Sequence, residues 1–132
     1  MYRKPVQIHK SYTGLIKDVK TNEITGKSDI TLDINYTKAC KIKNFKSIDS
    51  IDGSINIDNI DYNIEGITVL NDKENYIGAT ASQNGKSKYY VFFLENLEYI
   101  LLGEFKNDEF VKQIVAPAEN ELEFDRILKK LP

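Results

Sequence analysis

The chain has no tryptophan, one cysteine, one histidine and three prolines in 132 residues, and these scarcities narrow the field. With Cys40 alone, no internal disulfide can form, which fits a reducing compartment. One cysteine and one histidine cannot build a usual zinc site by themselves. They are also the only pair open to Cys-His nucleophilic catalysis, and neither is well placed for it. Cys40 lies in an alternating segment, where a free cysteine is ordinarily a small buried hydrophobe, and His9 lies in a basic N-terminal stretch. No P-loop, no G-x-G-x-x-G and no G-x-S-x-G is present. There is no long repeat and no low-complexity tract. MYRKPVQIHK lacks the apolar segment of a signal peptide, so a cytoplasmic protein is expected, with a removed signal or lipoprotein leader left open. No apolar run approaches membrane-spanning length. Only two arginines stand among the 18 basic residues. The heavy use of Lys, Asn, Ile, Asp and Tyr points to an AT-rich bacterial or phage genome.

What is present is a pattern of short strands in a single domain, 1–132. The stretch Tyr76–Phe105 reads as a three-stranded meander and as the centre of the core. Asn84-Gly85 is a strong hairpin signal, because a type I′ turn needs positive φ at both central residues. Tyr89–Leu94 is apolar at every position, so both of its faces should be covered and it should be a central strand. Ile30–Tyr36 alternates as a half-buried strand, with Ile30, Leu32, Ile34 and Tyr36 inward. Asp52-Gly53 is a further hairpin candidate. Ile55 and Ile57 alternate in one phase, and Ile60, Tyr62 and Ile64 in the other, so a tight reversal is expected at Asp58-Asn59.

Residues 1–10 read as a flexible basic arm or an edge strand, and 11–105 as the β meander. The C-terminal segment 107–131 is read as helical, with 107–115 open between helix and strand. Glu119–Leu131 shows helical spacing of Leu122, Phe124, Ile127, Leu128 and Leu131, with Asn120 and Glu123 as a capping pair. The expected fold is mainly β (α+β). An antiparallel meander of about eight strands forms a barrel or strongly curved sheet, and a C-terminal amphipathic helix packs on it. In outline, the meander from Tyr12 to Phe105 followed by a helix resembles the calycin (lipocalin-like) barrels, without the G-x-W of their first strand. The ending ELEFDRILKKL is similar to the closing helix of PsbP-like α/β sandwiches. Neither resemblance carries functional residues over.

Charge is unevenly divided. Residues 1–46 carry a balance of +6 and residues 47–132 a balance of −8, which together make the net −2. Either strands from the two parts interleave and neutralise one another, or the fold has a basic and an acidic face that steer a charged partner. Basic-face candidates are Lys38, Lys41, Lys43 and Lys46, interleaved with Tyr36 and Phe45 in the manner of a single-strand nucleic-acid surface. The scarcity of arginine and a pI near 5.5 make nucleic acid the less favoured partner. A lysine-rich strand face that protects a sheet edge accounts for the same residues.

The Asp- and Asn-rich segment 49–66 lacks EF-hand spacing, so no metal and no cofactor is expected. Sixteen acids spread over residues 47–132 nominate no catalytic pair, and an enzyme is not expected. The first functional expectation is a non-catalytic protein-binding module of the inhibitor, immunity or anti-defence type, acting through charged faces. Its contact candidates are Asp58, Asp61, Glu65, Tyr62 and Tyr76, with Tyr99 as a further aromatic anchor. The alternative is a barrel with an apolar interior cavity for a small ligand.

Overall fold

A computed structural model describes residues 5–37, 50–69, 76–94 and 97–130, with the backbone alone at 67–69 and 76. Eight strands, β1 (Val6–Asp18), β2 (Ile24–Thr37), β3 (Ser50–Ile57), β4 (Ile60–Val69), β5 (Tyr76–Gln83), β6 (Lys86–Leu94), β7 (Tyr99–Lys106) and β8 (Glu109–Ala116), precede one helix, α1 (Glu121–Leu128). Each strand pairs antiparallel with the next, and β8 returns to β1, closing the barrel. The residue row that starts at Gln7 crosses Asn35, Asp52, Glu65, Thr80, Tyr90, Gly103 and Gln113. It re-enters β1 at Lys17, ten residues further on. That stagger goes with strands tilted by about 40° to the barrel axis.

The expected alternation holds on the inner wall. Ile30, Leu32, Ile34, Ile55, Ile57, Tyr62, Ile64, Tyr89, Val91 and Phe93 share one core with Ile100 and Leu102. Leu32, Ile55, Ala81, Val91, Ile100 and Ala116 have no accessible surface. A water-sized hollow would leave accessible area on its walls, so at these levels side chains fill the barrel, as eight strands allow. Tyr62 and Tyr89 meet edge to face inside it. Burial pushes the Tyr89 phenol pKa up, and the nearby Glu104 carboxylate adds to this. Burial likewise pushes up Tyr12, whose hydroxyl donates to the Leu97 carbonyl.

A second core lies outside the barrel, where α1 covers it. Phe124 and Ile127 bury against Leu15, Leu94, Leu101 and Val115, with Phe92, Tyr99 and Leu128 at the margin. The two faces of Tyr89–Leu94 thus serve the two cores, as its continuous apolarity requires. Asn120 caps the helix by accepting from the Glu123 N–H at 2.9 Å. Beneath α1, Lys17 is 5% exposed. Its Nζ donates to Asp125 Oδ1 at 3.2 Å and sits 3.6 Å from Glu121 Oε1, lying over the Phe124 ring.

Several expectations change. The N-terminal stretch is not an arm from Val6 onward but part of β1, paired with β2. Residues 109–116 are strand, and Asn107-Asp108 is a reversal with positive φ at both residues, matching Asp58-Asn59 and Asn84-Gly85. Asp52-Gly53 is no turn: it lies inside β3, opposite Asn35 and Ile34. Gly53 adopts φ +143 where the Asp33 carbonyl comes so close that a Cβ would collide with it. Leu122 is 81% exposed, because the helix is only eight residues long and settles on Phe124 and Ile127. Leu131 lies outside the described residues.

Candidate functional site

With the inner wall packed, chemistry must be sought on the outer one. Period-two alternation places Asp29, Thr31, Asp33 and Asn35 of β2 outward, together with Asp52, Ser54 and Asn56 of β3 and Asp61, Asn63 and Glu65 of β4. Register brings Asn35, Asp52 and Glu65 side by side, and likewise Thr31, Asn56 and Asp61. Five carboxylates therefore share this face: Asp29, Asp33, Asp52, Asp61 and Glu65, all exposed. Lys27, the outward residue of β2 just before Asp29, is the one lysine or arginine on β2–β4. On the neighbouring β1, His9 Nδ1 lies 3.1 Å from Asp33. Asparagines hold two of the acids in place: Asn35 Nδ2 donates to Asp52 at 3.1 Å, and Asn56 Nδ2 donates to Asp61 at 2.8 Å.

The expected contact residues do not form one cluster. Asp61 and Glu65 point outward on β4, four residues and about 13 Å apart. Asp58 sits in the turn at the barrel end, its carboxylate accepting from the Ser28 hydroxyl (2.8 Å) and the Asp29 N–H (2.9 Å). That tie holds β2 to the β3–β4 turn. Tyr62 is 8% exposed inside the barrel, where no partner reaches its ring. Tyr76 is placed by its backbone alone, opposite Val69. Tyr99 lies beside α1 with Lys130 Nζ over its ring at 5.4 Å. Lys38, Lys41, Lys43 and Lys46 lie outside the described residues. Nor does the acidic face follow the division of the sequence, since Asp29 and Asp33 come from the basic part.

One hollow adjoins this face and a second lies beyond it. A shallow depression of about 640 Å³ runs from Asp52 and Glu65 across Gly78 and Thr80 to Tyr90 and Phe92. Beyond those two rings, a smaller apolar groove of about 250 Å³ is lined by Val19, Tyr90, Phe92, Leu101, Phe110 and Leu128, among others. Its rim is aromatic. Phe105 and Phe110 stack at 4.3 Å between centroids, and Tyr90 meets Phe105 edge-on at 4.4 Å. Tyr90 and Phe110 remain 42% and 46% exposed. Phe110 packs over Gly103, where a Cβ would stand 2.7 Å from its ring. The apolar runs had pointed to a covered strand face here, yet α1 ends at Leu128 and leaves this patch open.

Among the described residues, no group of three or more His, Cys, Asp or Glu side chains is placed to hold a metal, and no buried side-chain nitrogen or oxygen lacks a hydrogen-bond partner. The Asp18 carboxyl is held below its ordinary range by the Thr21 and Lys20 N–H groups, which belong to the β1–β2 turn. No helix among the described residues is long and apolar enough to cross a membrane. Comparison of the chain with protein-family models, with curated proteins and with solved structures finds no match.

Proposed function

We propose that this protein is a non-catalytic protein-binding module, of the kind used as inhibitors, immunity or anti-defence proteins, whose outer face on β2–β4 docks a basic surface of its partner. The observation that supports this most is the set of five outward carboxylates on strands that carry one basic residue, Lys27. Such a face accelerates encounter with a positively charged surface and disfavours like-charged ones. A cytoplasmic setting, in a bacterium or phage, fits the single cysteine and the composition. A role in holding a small ligand inside the barrel has the packed inner wall against it.

The test is affinity purification of the tagged protein from its native cells, in parallel with a Asp52→Lys, Glu65→Lys double variant. A stoichiometric protein partner is expected, released by moderate salt and retained at least tenfold less by the variant. Recovery of no stoichiometric partner, or of one indifferent to both salt and charge reversal, would overturn the reading.

A further inference from the structure

We propose that the aromatic groove between β6–β8 and the end of α1 is an anchor pocket for one large apolar side chain of the partner, carried on a segment whose lysines or arginines lie along Asp52 and Glu65. This rests on the protein-binding reading and specifies its partner chemistry.

Three observations carry it. First, the groove is exposed at a cost the fold does not require. Tyr90, Phe105 and Phe110 form a partly exposed aromatic patch on an outer wall whose β2–β4 side presents polar residues, and apolar patches of this kind mark interaction sites. Second, its size selects the occupant. At about 250 Å³ it is smaller than the roughly 300–1,000 Å³ of small-molecule sites, and a single Phe, Leu or Trp side chain is the natural guest, as in the desolvated pockets where interface energy concentrates. Third, charge complementarity defines the rest of the segment. Tyr90 and Phe92 wall both hollows, so only these two rings stand between the groove and the depression that ends at two carboxylates. Register places Glu65 two strands from Tyr90 and Asp52 three, about 10 and 15 Å along the wall. An extended segment spans that distance in roughly five residues, and so within seven. An acidic or purely apolar segment would satisfy only one end.

The experiment is selection of random twelve-residue peptides, displayed on phage, against the whole protein. Selected peptides are then synthesised and titrated against wild type, Phe110→Ser, Gly103→Ala and Glu65→Lys, each checked by thermal unfolding. Phe110 is half exposed, so its replacement leaves the fold intact. Gly103→Ala moves the Phe110 ring by a separate route. Enriched peptides should share one large apolar residue and at least two Lys or Arg within seven positions. They should bind Phe110→Ser at least tenfold more weakly, and Glu65→Lys more weakly in low salt but not in high salt. Enrichment of basic peptides indifferent to Phe110→Ser and Gly103→Ala would remove the anchor pocket while leaving the charged-face reading standing. Enrichment of apolar peptides without basic residues, or no enrichment, would overturn the proposal. So would a concentration-dependent dimer, seen by sedimentation without peptide and abolished by Phe110→Ser, since the groove's occupant would then be a second copy of the chain.

Discussion

The outer wall of this barrel has two unlike sides. On β2–β4 each strand alternates, with most isoleucines and the leucine inward and Asp, Glu, Asn, Ser, Thr and Lys27 outward, so this side meets water. On β6–β8 the alternation fails. Phe92, Leu94, Leu101 and Val115 point outward and need cover, which α1 supplies for most of them. The difference teaches where an interaction site can arise in a fold whose interior is filled. One side is free to vary its charge without disturbing the core. The other combines cover and exposure, because the helix stops before the apolar surface does.

The comparison can be tested first by stability. Phe93→Ala inside the barrel and Phe124→Ala beneath the helix should each cost about 3–5 kcal/mol in urea unfolding, whereas Asn63→Ala on the wet side should stay within about 0.5 kcal/mol. A Phe124→Ala variant as stable as the parent would mean that α1 is not part of the cooperative unit. Next in size is Lys17. Its stem is buried, but its partners Asp125 and Glu121 face water, so the ion pairs themselves count for little. Lys17→Ala should cost about 1–2 kcal/mol through lost packing, and Lys17→Met less than half of that. Equal losses for the two would assign the stabilisation to charge instead. Smaller still, Gly103→Ala should lower stability by about 1 kcal/mol or less, because a half-exposed Phe110 ring can move aside, while broadening or shifting the Phe110 ring resonances. The last effect is absent at neutral pH. Tyr12 and Tyr89 are held protonated by burial, so their folded pKa values exceed the unfolded value of about 10. Their contribution is complete below that pH and is lost as pH rises through the folded values. Alkaline titration at 295 nm should therefore show a late phenol step that coincides with unfolding. A single step near pH 10 with the fold intact would contradict their burial.

Much of the architecture was legible in local pattern. The reversals at Asn84-Gly85 and Asp58-Asn59 announce themselves because few residues accept positive φ, and Tyr89–Leu94 declares a doubly covered strand by having no polar face. What escaped depends on distant neighbours. Asn107-Asp108 serves equally as a helix cap or a type I′ turn, and only the pairing of β7 with β8 decides between them. Gly53 resembles a turn residue, but it is needed where β2 and β3 approach closely. Tyr62 reads locally as an anchor, and its partner Tyr89 lies two strands away, on β6. The groove was hidden for the same reason: Tyr90, Phe105 and Phe110 are core-like residues, and nothing local says that α1 ends short of them.

The seam where the barrel closes has a consequence in time. β1 and β2 pair over twelve residues, whereas β1 and β8 pair over only four, Leu15–Asp18 against Lys112–Val115. Every other strand pair joins neighbours in the chain, so β1 to β7 can zip together as an open sheet while the chain is still being made. The last stitch joins residues about a hundred positions apart and must wait for β8 to emerge. α1, following at once, lies across that stitch with its carboxylates on Lys17. Until then both edges of the sheet stay exposed. β8 and α1, Glu109–Leu128, therefore act as the clasp that turns an association-prone ribbon into a closed surface.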